Sequence, residues 1–279
     1  MANGPSEKAF ICTACGIQYG TSAQPPRQCI ICSEERQYIP ASGQNWTTLD
    51  RLRQSHMVTF RDEHGLLGIG MSPTFAIGQR ALMVRAPGGN VLWDCISLIS
   101  DELVELINGI GGLRAIAISH PHYYTTMVEW SRAFDGIPVY VHAADRQWAP
   151  RVDANIVFWE GDTLDIGDGL TLLRVGGHFE GSAVLHQQSG GNGRGALFTG
   201  DSLQVLPDRK HLGFVRSYPN FIPLSPAAVR AIAVRLAPYR FDSIYGAFWD
   251  RVIPEAGEES LRRSVERHIK WASAGIGSY

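Results

Sequence analysis

Two CxxC pairs near the N-terminus constrain this chain more than any other feature: Cys12-Thr13-Ala14-Cys15 and Cys29-Ile30-Ile31-Cys32. A CxxC turn lets two thiolates reach one metal from a tight loop. The thirteen residues between the pairs are close to the spacing of four-cysteine zinc sites. Gly16 follows the first pair and can supply the positive φ that such a turn needs. Disulfides would need an oxidising compartment, for which nothing in the sequence argues. A redox CxxC would be a single motif beside a βαβ pattern. Cys12, Cys15, Cys29 and Cys32 are therefore read as ligands of one structural Zn²⁺, with iron in a tetrahedral sulfur site as the alternative. A segment of about 35 residues cannot build a sizeable core, so metal binding is expected to drive its folding. A closed tetrahedron of four thiolates also leaves no open position for chemistry.

The remainder of the 279 residues suits one large domain. The expected organisation is a knuckle over 1–40, a linker over 41–57 and a main domain over 58–279. Charged residues make up 19% of the chain and the net charge is −2, so no global field favours nucleic acid or an anionic membrane. Residues 1–39 carry only Lys8, Arg27 and Arg36 as basic groups, which argues against a nucleic-acid role for the knuckle. No apolar run approaches the roughly 20 residues of a membrane span. The polar stretch Met1 to Ala9 lacks the apolar core of a signal peptide, so a cytoplasmic location is expected. Cys95 sits in an apolar run and reads as a buried small hydrophobe.

From about Asp50 onward, short apolar runs alternate with helical stretches, a mixed α/β pattern. Arg80–Arg85 and Val91–Asp94 read as strands around the turn Ala86-Pro87-Gly88-Gly89-Asn90. Ser100 can cap a helix with Leu103, Leu106, Ile107 and Ile110 on its apolar face, ended by Gly111-Gly112. Further strands are expected over Leu113–Ser119, Pro138–His142, near Ile156 and Leu164, and over Leu170–Val175, Gly195–Thr199 and Phe241–Gly246. Helices are expected over Thr126–Phe134, Pro226–Leu236 and Glu258–Ser273.

Three of these strands share a pattern. Each is apolar, and each ends in Ser or Gly followed by a metal-capable side chain: His120, His178 and Asp201. Strand ends gather along a sheet edge, where loops can carry chemistry. His122 lies two residues beyond His120, so one loop can present two imidazoles to one ion. Three His with an Asp suit Zn²⁺ or Fe²⁺. His142 is expected to hydrogen-bond at a strand end. His56, His64, His186, His211 and His268 are expected to be surface or structural, with His211 in a long segment, Leu203–Pro223, that could form a lid or pocket wall.

Over roughly Val58 to His268 the chain resembles the metallo-β-lactamase superfamily. The run Ala115-Ile116-Ala117-Ile118-Ser119-His120-Pro121-His122 is similar to that family's strand leading into HxHxDH. Gly176-Gly177-His178-Phe179-Glu180-Gly181-Ser182 resembles its GHTPGS segment, and Leu197-Phe198-Thr199-Gly200-Asp201 its FTGD segment. The resemblance implies an αββα sandwich with a metal site at one edge between the sheets. It also implies that His120, His122 and His178 are ligands of the first metal and Asp201 the bridging ligand. The small segment ahead of it is similar to a zinc-ribbon or rubredoxin-like knuckle. The chain departs from the family where the second metal would be held. Tyr124 and Thr125 replace the Asp and last His of HxHxDH, and Tyr245-Gly246-Ala247-Phe248-Trp249 contains no His where the family's final ligand is expected.

The pattern and the resemblance together point to a single Zn or Fe ion in the main domain and to a mononuclear hydrolase of a small ester, thioester or lactone. Asp201 would be the fourth ligand or the general base. Tyr124 would either donate to a developing oxyanion or, with Tyr123, Phe248 and Trp249, fill the emptied second site. Two alternatives stand beside this reading. One is a non-haem Fe(II) oxygenase using His120, His178 and Asp201, as in the persulfide dioxygenases of the same superfamily. The other is a catalytically degenerate metal-binding or scaffold protein, with the knuckle mediating protein contact or self-association.

Overall fold

The computed structural model describes residues 7–274; the first six residues of the polar N-terminal stretch and 275–279 lie outside the described residues. The chain divides into two compact units, Met1–Val141 with Asp145–Phe158, and His142–Ala144 with Trp159–Tyr279.

The first unit opens with a three-stranded sheet in the order β2-β1-β3, formed by β1 (Lys8–Cys12), β2 (Gln18–Ser22) and β3 (Trp46–Thr47). Residues 41–57 thus contribute β3 and a short helix, Leu49–Ser55, which Thr48 caps by accepting from Arg51 N. Next comes a seven-stranded sheet of β4 (Met57–Glu63), β5 (Leu66–Ser72), β6 (Ala81–Val84), β7 (Val91–Trp93), β8 (Ala115–Ala117), β9 (Val139–His142) and β10 (Ile156–Trp159). The β4–β5 hairpin turns on His64-Gly65, both at positive φ, as a tight two-residue turn demands. Strands β7, β8 and β9 pair in parallel, so each link must cross over. Helices Asp101–Gly109 and Met127–Ala133 make those crossings.

Every residue of β6, β7 and β8 is buried, which explains why the sequence shows continuous apolar runs there rather than alternation. Ser100 caps helix Asp101–Gly109 by accepting from Leu103 N. Leu103 and Ile107 face inward, but Leu106 and Ile110 are each 43% exposed. The helix therefore rests on a narrower stripe than its periodicity suggests.

The second unit is built on a six-stranded sheet of β11 (Thr163–Asp165), β12 (Leu170–Arg174), β13 (Ala183–Gln187) and β14 (Ala196–Phe198), joined at its far edge by two later strands. Two small separate hairpins follow β14 in sequence: β15 (Gln204–Val205) with β16 (Leu212–Gly213), and β17 (Val215–Ser217) with β18 (Ile222–Pro223). Strand β19 (Ser243–Tyr245) pairs in parallel with β14, and β20 (Val252–Ile253) closes the sheet. Helix Pro226–Leu236 makes the β14–β19 crossing; Ser225 caps it and Pro sits in its first turn. Helix Gly257–Ala272 follows β20. The unit's core gathers Val184, Leu197, Phe214, Val229, Ile232 and Ile244. No helix among the described residues is long and apolar enough to cross a membrane.

Candidate metal centres

The four knuckle cysteines form one buried cluster, and none is in a disulfide. Cys12 Sγ lies 3.6 Å from Cys32 Sγ, and Cys15 Sγ lies 3.6 Å from Cys29 Sγ. Four sulfurs about 2.3 Å from a common zinc are about 3.8 Å apart along a tetrahedron edge, whereas a disulfide would bring a pair to about 2.05 Å. The sulfur spacing fits a metal. Gly16, at φ +84°, completes the first turn, with its N–H donating to Cys12 O at 2.9 Å. Gln44 holds the two pairs in register: its Nε2 donates to Cys12 Sγ at 3.1 Å and its Oε1 accepts from Cys29 N at 3.2 Å. Burial pushes the Cys15 thiol well above its ordinary value, and hydrogen bonding from Cys15 leads the causes that hold Cys12 below its own. Deprotonating a set this enclosed calls for a cation among the sulfurs.

The first unit also carries His120 and His122. Two residues beyond β8, Ser119 feeds directly into His120, and Pro121 starts a single 3-10 turn over Pro121–Tyr123. The two imidazoles are buried with ring centroids 5.1 Å apart. A hydrogen-bond chain defines the tautomer of His120. Asp94, at the end of β7, accepts from Ser119 N at 2.7 Å and from Ser119 Oγ at 3.0 Å. With its proton given to Asp94, the Ser119 oxygen can only accept from His120 Nδ1, 2.8 Å away. Nδ1 therefore carries the hydrogen, and Nε2 presents the lone pair that a metal needs.

The second unit carries His178 and Asp201, and the same device recurs. Gly176 and Gly177 both take positive φ at the end of β12, and a Cβ on Gly177 would come within 2.7 Å of Leu224 Cδ1. A larger residue would have to push the Leu224 side chain aside and hold a positive φ that strains any residue but glycine. His178 Nδ1 faces the Val215 carbonyl at 3.2 Å and must donate to it, which leaves Nε2 as the ligating nitrogen. That Nε2 lies 3.9 Å from Asp201 Oδ2. This is too long for a hydrogen bond but within the roughly 4 Å that two ligands about 2.1 Å from one ion can span. Asp201 opens a 3-10 turn after β14, and the Tyr218 hydroxyl donates to its carbonyl at 2.7 Å. Burial raises the Tyr218 phenol well above its usual range, so this donor keeps its proton.

Tyr124 is buried, and its hydroxyl points to the Asp145 carbonyl at 3.3 Å. Thr125 is also buried, at φ +29°. His142 binds at a strand end as expected: Nδ1 accepts from Ala144 N at 3.1 Å, and Nε2 donates to Gly161 O at 2.9 Å. His211 pairs with Asp208 at 2.7 Å in an exposed turn. Cys95 is fully buried. Sequence reasoning passed over Asp94, which ends an apolar strand but follows Trp93 rather than the Ser or Gly that precedes His120, His178 and Asp201. Gln44, Gln79 and Ser97 carry no motif at all.

No family model matches the chain. It is 45% identical over 264 residues to the uncharacterized protein YmaE of Bacillus subtilis (strain 168), covering 94% of this chain and 96% of the relative. Among solved structures it is similar to the metallo-β-lactamase FIM-1 from Pseudomonas aeruginosa in its mono-zinc form. The two are 19% identical, with 78% of this chain and 97% of the other covered and a TM-score of 0.54. VMB-1 is 13% identical, with coverages of 77% and 98% and a TM-score of 0.56. TMB-1 is 14% identical, with coverages of 77% and 99% and a TM-score of 0.56. These likenesses show the metallo-β-lactamase fold, as the strand-end motifs led one to expect, and they leave the substrate open.

Proposed function

We propose that this chain, which belongs to one family with Bacillus subtilis YmaE, is a mononuclear metal-dependent hydrolase whose sequence motifs assign His120, His122, His178 and Asp201 to a single ion. The observation that carries this reading is that His120 and His178 each have Nδ1 committed to an acceptor, through Ser119 and Val215 respectively. Imidazoles fixed in that way are prepared as Nε2 ligands; structural histidines need no such uniformity. The 3.9 Å gap between His178 Nε2 and Asp201 Oδ2 adds to it.

One ion fits better than two. Tyr124, Thr125 and the stretch Ala247-Phe248-Trp249 offer no imidazole or carboxylate at the positions that correspond to second-site ligands. FIM-1, a similar structure, is itself in a mono-zinc form. Zinc is the first choice and iron the alternative, since three imidazoles and a carboxylate suit both.

The chemistry such an ion supplies when bound is a water acidified to a pKa of about 7 and polarisation of a carbonyl oxygen. The protein's own part falls to Asp201. Held by Tyr218 through its main chain, its carboxylate would serve as the fourth ligand or, when not bound to the ion, as the base that takes a proton from the attacking water and returns it to the leaving group. Tyr124 fills space in this scheme, because its hydroxyl proton is directed to Asp145. The substrate is a small ester, thioester or lactone, a carbonyl compound that one ion can activate; phosphodiesters ordinarily recruit two.

Metal analysis combined with a panel of chromogenic esters, thioesters and lactones tests this. The wild-type chain is expected to hold two ions, and His120→Ala to hold one and to lose turnover. An unchanged metal content in His120→Ala would remove the proposed site. Iron at that site together with O₂ consumption would replace the hydrolase by an oxygenase.

A further inference from the structure

The knuckle and the His120–His122 loop belong to the same unit, and they are tied to each other by a specific set of hydrogen bonds. Gln79 is buried, and its side-chain amide donates to two carbonyls at once, Cys15 O at 2.6 Å and His122 O at 3.0 Å. One NH₂ has two hydrogens, so both are committed. The adjoining carbonyl, Gly16 O, accepts from Ser97 Oγ at 2.9 Å. Further along, Gln18 N donates to Thr125 O at 3.0 Å. Arg151 braces this tie by binding both the Gln18 side chain and Glu129. The loop is thus held at 122 and at 125 by residues that either belong to the knuckle or touch it.

The approach is close. A Cβ on Gly16 would fall 2.6 Å from Ser97 Oγ and 3.2 Å from Gln79 Nε2. Only glycine lets the CxxC turn sit this near, and the turn's positive φ suits glycine as well. The carbonyls of Cys15 and Gly16 belong to the turn whose shape depends on both Cys12 and Cys15 reaching a common ion. Without that ion the turn keeps its hydrogen bonds, Gly16 N to Cys12 O and Cys12 N to Ile17 O, but loses its ionic closure, and the direction of the two carbonyls is less tightly fixed. A buried amide facing them would lose its partners, which is costly, and it would follow them or relax. The other partner of that same amide is the main chain of His122.

Resting on the reading of His122 as a ligand, we propose that Gln79 is a positioning residue that couples the two metal centres, so that loading the four-cysteine knuckle tightens metal binding at the His120–His122 loop. Nothing in the hydrolase reading requires this; a knuckle that merely caps the fold would leave the two affinities independent. Coupling of this kind is reciprocal: each ion raises the affinity of the other by the same factor.

Cobalt titration of the full apo chain reads the two centres separately. Thiolate ligation gives intense near-ultraviolet charge-transfer absorption with strong bands toward the red, and imidazole–carboxylate ligation adds weaker visible bands at shorter wavelength, by which its site is followed. The expected order is knuckle first, then the His loop. Gln79→Glu keeps the size of the side chain but turns the donor amide into an acceptor facing two carbonyls. It is expected to weaken the visible-band site about 10- to 100-fold. It should also speed amide exchange over residues 119–126. Cys29→Ser with Cys32→Ser, which leaves the Cys15 and Gly16 carbonyls in the sequence, should weaken the same site by a similar factor. Added to Gln79→Glu, it should have little further effect. Full additivity of the two changes, or an unchanged visible-band affinity in Gln79→Glu, would overturn the coupling. If circular dichroism shows Gln79→Glu to be unfolded, Ser97→Ala removes the neighbouring tie more gently and is expected to give a smaller weakening of the same site; no weakening there would equally overturn the proposal. Loss of the shorter-wavelength visible bands in His120→Ala, with the thiolate bands kept, tests the ligand assignment itself, so failure of the coupling and failure of the metal site leave different spectra.

Discussion

The knuckle draws its ligands from two tight turns of one short segment, whereas the His and Asp residues stand at the ends of strands in two different sheets. In the knuckle the donors are soft and all alike, and side-chain support comes from Gln44, close in sequence to the second turn. In the loops the donors are mixed, and two of the three imidazoles are set by a partner from another element: Asp94 acting through Ser119 for His120, and the Val215 carbonyl for His178. A closed set of four thiolates makes structure, because nothing is left over to react. A mixed set held by outside partners can be tuned, because its protonation state and direction are decided away from the ligands. The contrast is one between a site that makes its own segment fold and a site that an already folded scaffold presents.

That contrast can be broken by experiment. The largest effect is expected from Cys12→Ser with Cys15→Ser. Structural zinc contributes about 10–16 kcal/mol of apparent binding energy in small zinc domains. The variant should lose one ion per chain, show a markedly lower thermal midpoint, and lose amide protection over residues 8–47. A midpoint close to that of the wild type would mean that the segment holds itself together without metal. Next comes His178→Ala, which should leave the knuckle ion and the thermal midpoint nearly intact while lowering turnover by about 10³-fold, equivalent to about 4 kcal/mol of activation free energy. Ser119→Ala cuts the chain from Asp94 to His120 and should weaken metal binding at the loop by about 10- to 100-fold without touching the ligands. Competition with a metal-binding dye would measure it, and wild-type affinity would show that the tautomer of His120 needs no such support. The smallest effect is expected from Tyr124→Phe, which removes one 3.3 Å hydrogen bond to Asp145 and should cost at most about 1 kcal/mol in urea denaturation, with turnover unchanged. A large fall in turnover would restore Tyr124 as a donor to the reacting oxyanion.

The knuckle was legible because its chemistry is local: four cysteines at fixed spacing leave few alternatives. The fold was legible because buried parallel strands leave uninterrupted apolar runs, as in Ile116 to Ile118. The donors of the loops were legible because each follows such a run. The residues that aim those donors were harder to find. Gln79 and Ser97 precede or follow no motif, and their importance arises only when distant backbone carbonyls arrive beside them. Gln44 lies in a polar, glycine-containing stretch whose composition says turn and says nothing of a contact with Cys12. Leu106 and Ile110 show the opposite failure: their periodicity is correct for a buried face, yet the helix needs only Leu103 and Ile107 to dock.

The close seat of Gly16 against Ser97 and Gln79 also decides whether the N-terminal segment is a detachable accessory. Chains trimmed ahead of the seven-stranded sheet would leave the amide of Gln79, the hydroxyl of Ser97 and the carbonyl of Thr125 stripped of the backbone groups they now meet. Water would have to enter a surface shaped for a peptide turn, and nearby apolar groups such as Ile17 would no longer cover it. Truncation there should yield a sticky, poorly soluble product rather than a smaller working protein.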